Sequence, residues 1–355
     1  MSIADRKADH IDLCATGPVG FRDKRTLLDN VEFFHQALPE LDADAIDTST
    51  ELLGKTLRAP ILIAAMTGGT DRAASINQQL AAIAEERGYG FGLGSQRPML
   101  ENPDDPSYQV RDVAPDCLLL GNIAAVQARE IGVEVVETLA AAVGADAMCL
   151  HLNPAMELIQ PGGDRDFTGI VEILTSCAEE LPIPVVAKET GCGISPTAAQ
   201  RLAACGVCHV DVSGAGGTSW VAVETERAED DARALGEALR EWGVPTAASI
   251  AYARRAEPAF DSIIATGGIK TGLDIARSIA LGASAAGLAR PVLQALHRDG
   301  AEGVISLLDA VERELRAVML LVGAANIAEL ATTPYLPRGE LRDWLGVPSP
   351  PHTAD

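Results

Sequence analysis

The sequence predicts an α/β fold, a closed parallel (β/α)8 TIM barrel preceded by an N-terminal extension. Two observations carry the prediction. Eight short apolar runs recur between glycine, proline or polar turns, and segments with helical spacing separate them. The alternation occupies about 230 residues, close to the length such a barrel needs. An open, doubly wound sheet is the rival architecture for the same pattern.

In chain order the expected strands are "APILIAAMT" (59–67), "YGFGLGSQ" (89–96), "DCLLLGNI" (116–123), "AMCLHLNP" (147–154), "PVVAKET" (184–190), "CHVDVSGA" (208–215), "IIATGGI" (263–269) and "SAAGLAR" (284–290). Between them, "NQQLAAIAEERG", "IVEILTSCAEEL", "TAAQRLAACG" and "GLDIARSIALGA" read as helices, several closed by a glycine. The longest connection, about 216–262, carries "GTSWVAVETERAEDD" and a helix, and "GVISLLDAVERELRAVMLLVGAANIAELA" reads as a closing helix packed on the barrel. Residues 1–58 form the N-terminal extension, 59–345 the barrel, and 346–355, with "PSPPHTAD", a disordered tail.

Composition narrows the function classes. Acidic residues outnumber basic ones by 50 to 28, for a formal charge of −22, and no basic run interleaved with aromatics occurs. Nucleic acid and anionic membrane surfaces are therefore excluded as expected partners. The N-terminus has no apolar leader and no stretch approaches a membrane span, so a cytoplasmic protein is expected. Seven irregularly spaced cysteines point to reduced thiols. "CGVCH" (205–209) matches a haem-attachment pattern, but Cys208 and His209 read more simply as the start of a buried strand.

A barrel gathers its chemistry where the strands end. Thr67, Ser95, Asn122, Asn153, Lys188, Ser213 and Gly268 all fall at or just beyond such ends. Lys188 closes the apolar "PVVAK", and a buried ammonium needs a partner, expected here to be an anionic or electron-rich ligand. "MTGGT", "SGAGGTSW" and "TGGIKTG" allow close backbone approach to a ligand. Gly267 and Gly268 after the seventh strand, with Ala289 and Arg290 after the eighth, stand where barrels hold phosphate. Flavin mononucleotide (FMN) fits that combination.

These motifs, with "RKADH", "GLGSQR", "GNIAAVQ", "HLNPAMELIQPGGDRDF", "VAKETGCGIS", "DVSGAGGTSW" and "ATGGIKTGLDIARSIALGA", resemble in order and spacing the type 2 isopentenyl-diphosphate delta-isomerase family, over about residues 6–345. The resemblance implies an FMN-dependent barrel that uses reduced flavin and Mg²⁺ to move a double bond without net redox change, protons passing at the flavin. It implies that NAD(P)H or another reductant keeps the flavin reduced, that the substrate is a prenyl diphosphate, and that the assembly is a homo-oligomer, a tetramer or larger. By position, Thr67, Gly68, Ser95, Asn122, Lys188, Ser213, Thr218, Gly267, Gly268, Ala289 and Arg290 would bind flavin. Arg6, Lys7, His10, Ser95, Arg97, His151 and Asn153 would hold the substrate. Glu157 would ligate Mg²⁺, and Met156, Glu157, Glu224, His151 and Asn153 would surround the reacting carbons. Independently, Glu224 reads as a helix-surface partner of Arg227 at i, i+3.

Three residues depart from the family pattern. Met156 stands where the family has a glutamine implicated in proton transfer, Gly162 where it has a glutamate, and Ala124 where it has a glycine. A thioether cannot reproduce an amide's hydrogen bonds. Isomerisation of isopentenyl to dimethylallyl diphosphate is the primary expectation, and a related cyclase that protonates a longer polyprenyl alkene is the alternative. An FMN-dependent 2-hydroxy acid oxidase and a non-catalytic flavin binder are further readings. The oxidase would need a base histidine after a late strand, and "DVSGAGGTSW" offers none.

Overall fold

The computed structural model describes residues 3–347, with side chains from residue 6 onward. Of the expected tail, 348–355 lies outside the described residues. All eight expected strands form: β1 (Ile61–Ile63), β2 (Gly90–Gly92), β3 (Leu118–Ala124), β4 (Ala147–Leu152), β5 (Val185–Glu189), β6 (His209–Asp211), β7 (Ser262–Ala265) and β8 (Ala285–Leu288). They pair in sequence order, all parallel, and β8 returns to β1 with Ala286 opposite Ile61. That last pairing closes the barrel and excludes the open sheet.

The two-residue period of a strand explains both core and mouth. Leu62, Leu118, Leu120, Cys149, Val186 and Ile264 point inward and pack together as the barrel's inner core. Their neighbours Ile61, Ile63, Leu119, Met148, Leu150, Val185, Ala187 and Ile263 belong to the layer between sheet and helices. Stepping the inward parity onward along each strand reaches Asn122, His151, Lys188 and Thr266. The alternation that buries leucine below therefore delivers polar groups to the C-terminal mouth.

The other end is plugged from the extension. A hairpin of Thr50–Leu52 and Lys55–Leu57 places Leu52 and Leu57 in the inner core. A second antiparallel pair, Val31–Phe33 with Tyr335–Pro337, ties the extension to the C-terminal region. The extension opens with the helix Ile3–Thr16, which contacts the closing helix Arg290–Val322.

The connections differ from expectation in three places. After β2 the chain forms only two 3-10 turns, Arg97–Leu100 and Pro106–Tyr108, because Pro98, Pro103 and Pro106 remove backbone donors. The 216–262 connection holds three helices rather than one: Trp220–Arg227, Asp230–Leu239 and Thr246–Arg254. The closing helix is broken at Gly300 (φ 66°) and stops at Gly323, before a separate helix Ile327–Ala331. The seven cysteines are all free thiols, as expected; in "CGVCH", Cys208 is exposed rather than buried, and His209 opens β6 with a hydrogen bond to Ser262 at 2.8 Å. Among the described residues no helix is long and apolar enough to cross a membrane.

Candidate active site

The barrel mouth contains a cavity of about 530 Å³. Every residue expected from sequence to form the site lines it except Gly68 and Glu224. Gly68 instead makes room for Tyr108, since a methyl group there would sit 2.4 Å from the phenol ring. Glu224 lies behind His10, fully buried, and accepts from His10 Nε2 at 2.7 Å and Arg227 at 2.7 Å. Of the two sequence readings of Glu224, the i, i+3 pair with Arg227 forms, though buried rather than on the helix surface, while its place among the groups around the reacting carbons is not seen: it reaches the cavity wall only through His10. Although burial opposes its charge, His10 and Arg227 hold its carboxyl below the ordinary value.

Lys188 corrects an expectation. Its partner is built into the protein, because Nζ donates to Asp211 Oδ2 at 2.7 Å. The other Asp211 oxygen accepts from Thr266 Oγ1 at 2.5 Å and from the Ser213 amide at 3.1 Å. The pair is buried, so the ammonium is held in place whether or not a ligand is bound. Sequence could not reveal it, since Asp211 lies on the neighbouring strand.

His151 is held neutral. Burial, with Lys188 and Lys7 nearby, pushes its pKa down to about 3. Asn122 Nδ2 donates to Leu93 O at 3.1 Å, which turns the amide oxygen toward His151 Nδ1 at 2.9 Å. Nδ1 is then the donor and Nε2 an acceptor. His151 suits a ligand's hydrogen-bond donor better than an anion.

Cations come from elsewhere. Arg6 and Lys7 reach the cavity from the N-terminal helix and Arg97 from the turn after β2. Lys7 Nζ donates to Ser95 O and Tyr108 Oη, each at 3.1 Å, while burial first, then Arg6, lower its pKa to about 7. Among the described residues no carboxylate lies within ion-pair distance of Arg6, Lys7 or Arg97. In a chain of charge −22 this is a local excess of positive charge, the condition for recognising a multiply charged anion.

The short helix Pro154–Ile159 also contributes to the wall, presenting Met156 and Glu157. The buried Glu157 accepts from Asn153 Nδ2 at 2.7 Å, Gln160 Nε2 at 3.2 Å and the Asp164 amide at 2.9 Å. Met156 Sδ stands 4.0 Å from Asn153 Nδ2. Gln160, Gln127, Thr190 and Trp220 also line the cavity and were not singled out from sequence. Gln160 was legible as the i+3 neighbour of Glu157, and Gln127 as the last residue of the motif "GNIAAVQ". Behind Thr190, the buried Glu189 carboxylate accepts the amides of residues 190–193 at 2.5–3.0 Å, which folds that loop against the cavity.

The residues fit a phosphorylated cofactor. A methyl group at Gly217 would lie 2.3 Å from the Gly268 amide, and one at Gly267 would lie 2.1 Å from Gly214 O. The loops after β6 and β7 therefore touch backbone to backbone, which only glycine permits. Beside them Arg290 begins the closing helix, whose first amides have no intrahelical partner. A Mg²⁺ ion here would find one oriented carboxylate, Glu157, a donor set that fits where phosphate oxygens and water complete the shell.

Comparison with known proteins agrees with this geometry. The FMN-dependent dehydrogenase family matches residues 2–158 and 163–336, and the interruption falls in the stretch that follows Met156 and Glu157. Proteins described as isopentenyl-diphosphate delta-isomerase are similar throughout. The one from Methanosarcina mazei is 44% identical, covering 96% of this chain and 93% of that protein. The one from Nostoc sp. is also 44% identical, covering 94% and 95%, and the one from Pyrococcus horikoshii is 42% identical, covering 96% and 94%. A mandelate oxidase structure carrying an FMN adduct superposes with a TM-score of 0.64 at 19% identity, over 94% of this chain and 99% of that one, a likeness of fold.

Proposed function

Because the chain belongs to the FMN-dependent dehydrogenase family and, within it, to the isopentenyl-diphosphate delta-isomerases, we propose that it interconverts isopentenyl and dimethylallyl diphosphate using FMN and Mg²⁺. The observation that carries the reading is the joining, in one cavity, of the glycine cradle and Lys188 with three unneutralised cations and an oriented carboxylate.

Thr67, Asn122, Lys188, Ser213 and Thr218 would hold the flavin ring, and the loops around Gly267, Gly268, Ala289 and Arg290 its phosphate. When bound and kept reduced, by NAD(P)H or another reductant, FMN supplies an electron-rich ring with an acid–base nitrogen. Arg6, Lys7 and Arg97 take the diphosphate charge, with His10 and Ser95 as further polar contacts. Glu157 would hold Mg²⁺ against the diphosphate, and Asn153 and Gln160 fix the direction of its oxygens. The substrate's alkene is unactivated, so its protonation creates a tertiary cation that water would trap. Trp220 and Met156 line the wall with apolar surface and help to exclude that water. His10, packed edge-on against Trp220 at 5.2 Å and tied to Glu224, fixes the aromatic side of the wall.

Met156 favours one second reading. A soft thioether where the family pattern has an amide also suits a longer alkene whose cation cyclises. Anaerobic incubation with FMN, reductant, Mg²⁺ and isopentenyl diphosphate in D₂O, followed by NMR, separates the two. Deuterated dimethylallyl diphosphate is the expected product; bound flavin with neither product nor exchange would move the assignment to the longer substrate.

A further inference from the structure

Arg290 stands between two parts of the cavity edge. It opens the closing helix directly after β8, beside the glycine cradle. Its guanidinium also reaches the end of the neighbouring N-terminal helix, Nε donating to Cys14 O at 3.0 Å and one terminal nitrogen to Gly17 O at 2.6 Å. The last carbonyls of a helix have no partner within it, and a cation there is favoured by the helix dipole. The other terminal nitrogen lies toward Gly20, where an added methyl group would meet it at 3.3 Å. Among the described residues no carboxylate is within ion-pair distance of Arg290, so its charge stays available to an anion.

The helix that Arg290 caps is the one that faces the substrate side. Lys7, His10, Ile11 and Cys14 fall at i, i+3, i+4 and i+7, one face, and all four line the cavity. We propose that Arg290 is a positioning residue that joins the cofactor's phosphate end to the N-terminal helix, so that flavin binding and diphosphate binding reinforce each other. The proposal rests on the reading that Arg6 and Lys7 take the diphosphate. A phosphate group held by the loops around Gly268 and Ala289 fixes the guanidinium. The fixed guanidinium in turn holds the helix end, and with it Lys7 and His10. Such coupling is reciprocal.

The experiment is hydrogen exchange of the amides of residues 6–17 in the full chain, with and without saturating FMN, for the native protein, Arg290→Ala and Arg290→Lys. In the native protein FMN is expected to slow exchange in this helix, and in Arg290→Ala the helix is expected to exchange roughly tenfold faster and to ignore FMN, in line with ordinary coupling strengths. Arg290→Lys keeps the charge but not the fork, so it is expected to recover flavin affinity, read by fluorescence, without recovering the helix response. Native-like exchange in both variants, with or without FMN, overturns the proposal. Inorganic pyrophosphate, titrated into the flavin-loaded proteins, separates the two readings. Weaker binding to Arg290→Ala is expected. A loosened helix with unaltered pyrophosphate affinity would overturn the coupling by removing the substrate role of Arg6 and Lys7.

Discussion

Replacing Asp211 by asparagine tests the ion pair at the heart of the mouth. The Lys188 and Asp211 side chains are 10% and 7% exposed, so both charges are largely shielded from water. The substituted side chain could still accept from Thr266 and Ser213 through its amide oxygen, but its NH₂ would then meet the Lys188 ammonium, donor against donor. Removing one partner of a buried pair costs about 3–5 kcal/mol, because the remaining charge is left uncompensated. For 355 residues the unfolding entropy is about 0.75 kcal/mol per degree, so the expected fall in Tm is about 4–7 °C. Calorimetry of the flavin-free protein reads it directly. Adding Lys188→Met should recover most of the loss, since the stranded charge goes with it. A fall below about 1 °C for Asp211→Asn would refute the reasoning, for the ammonium would then be finding solvent or another partner.

Three further outcomes follow from the same geometry. Met156→Gln is expected to change isomerase turnover by less than about tenfold, whereas a gain in the range of roughly 10²–10⁴ typical of a restored acid–base group would mean that the native wall is not built for isomerisation. Because burial lowers the Lys7 pKa to about 7, its charge is present below that pH and lost above it. The kcat/KM for prenyl diphosphate should therefore decline as pH rises through about 7, and Lys7→Arg should move the decline upward; an unmoved profile would exclude Lys7 as its source. Gly217→Ala places a methyl group 2.3 Å from the Gly268 amide, so FMN affinity, measured by fluorescence, should fall at least about tenfold while native-like circular dichroism is kept; unchanged affinity would remove the cradle from the cofactor site.

The barrel was legible in the sequence because the information for it is local. Period-two apolar runs, their glycine ends and the intervening helical spacing specify eight strands, and closure follows once each strand has a neighbour on both sides. The strand ends that carry polar groups were legible too, since one parity of each strand must face inward: Asn122, His151 and Lys188 continue the inner rows begun by Leu120, Cys149 and Val186. The partners came only with the folded chain. Asp211 neutralises Lys188 from the next strand, Asn122 sets the His151 tautomer, Glu224 acts through His10, and Gly68 yields its place to Tyr108. The 3-10 turns after β2 were not anticipated, and neither was the placing of Arg97 close enough to act on the Lys7 charge. Side-chain pairing in the site depends on distances between residues as much as 276 positions apart, and those are fixed only when the barrel closes and the N-terminal helix settles at its mouth.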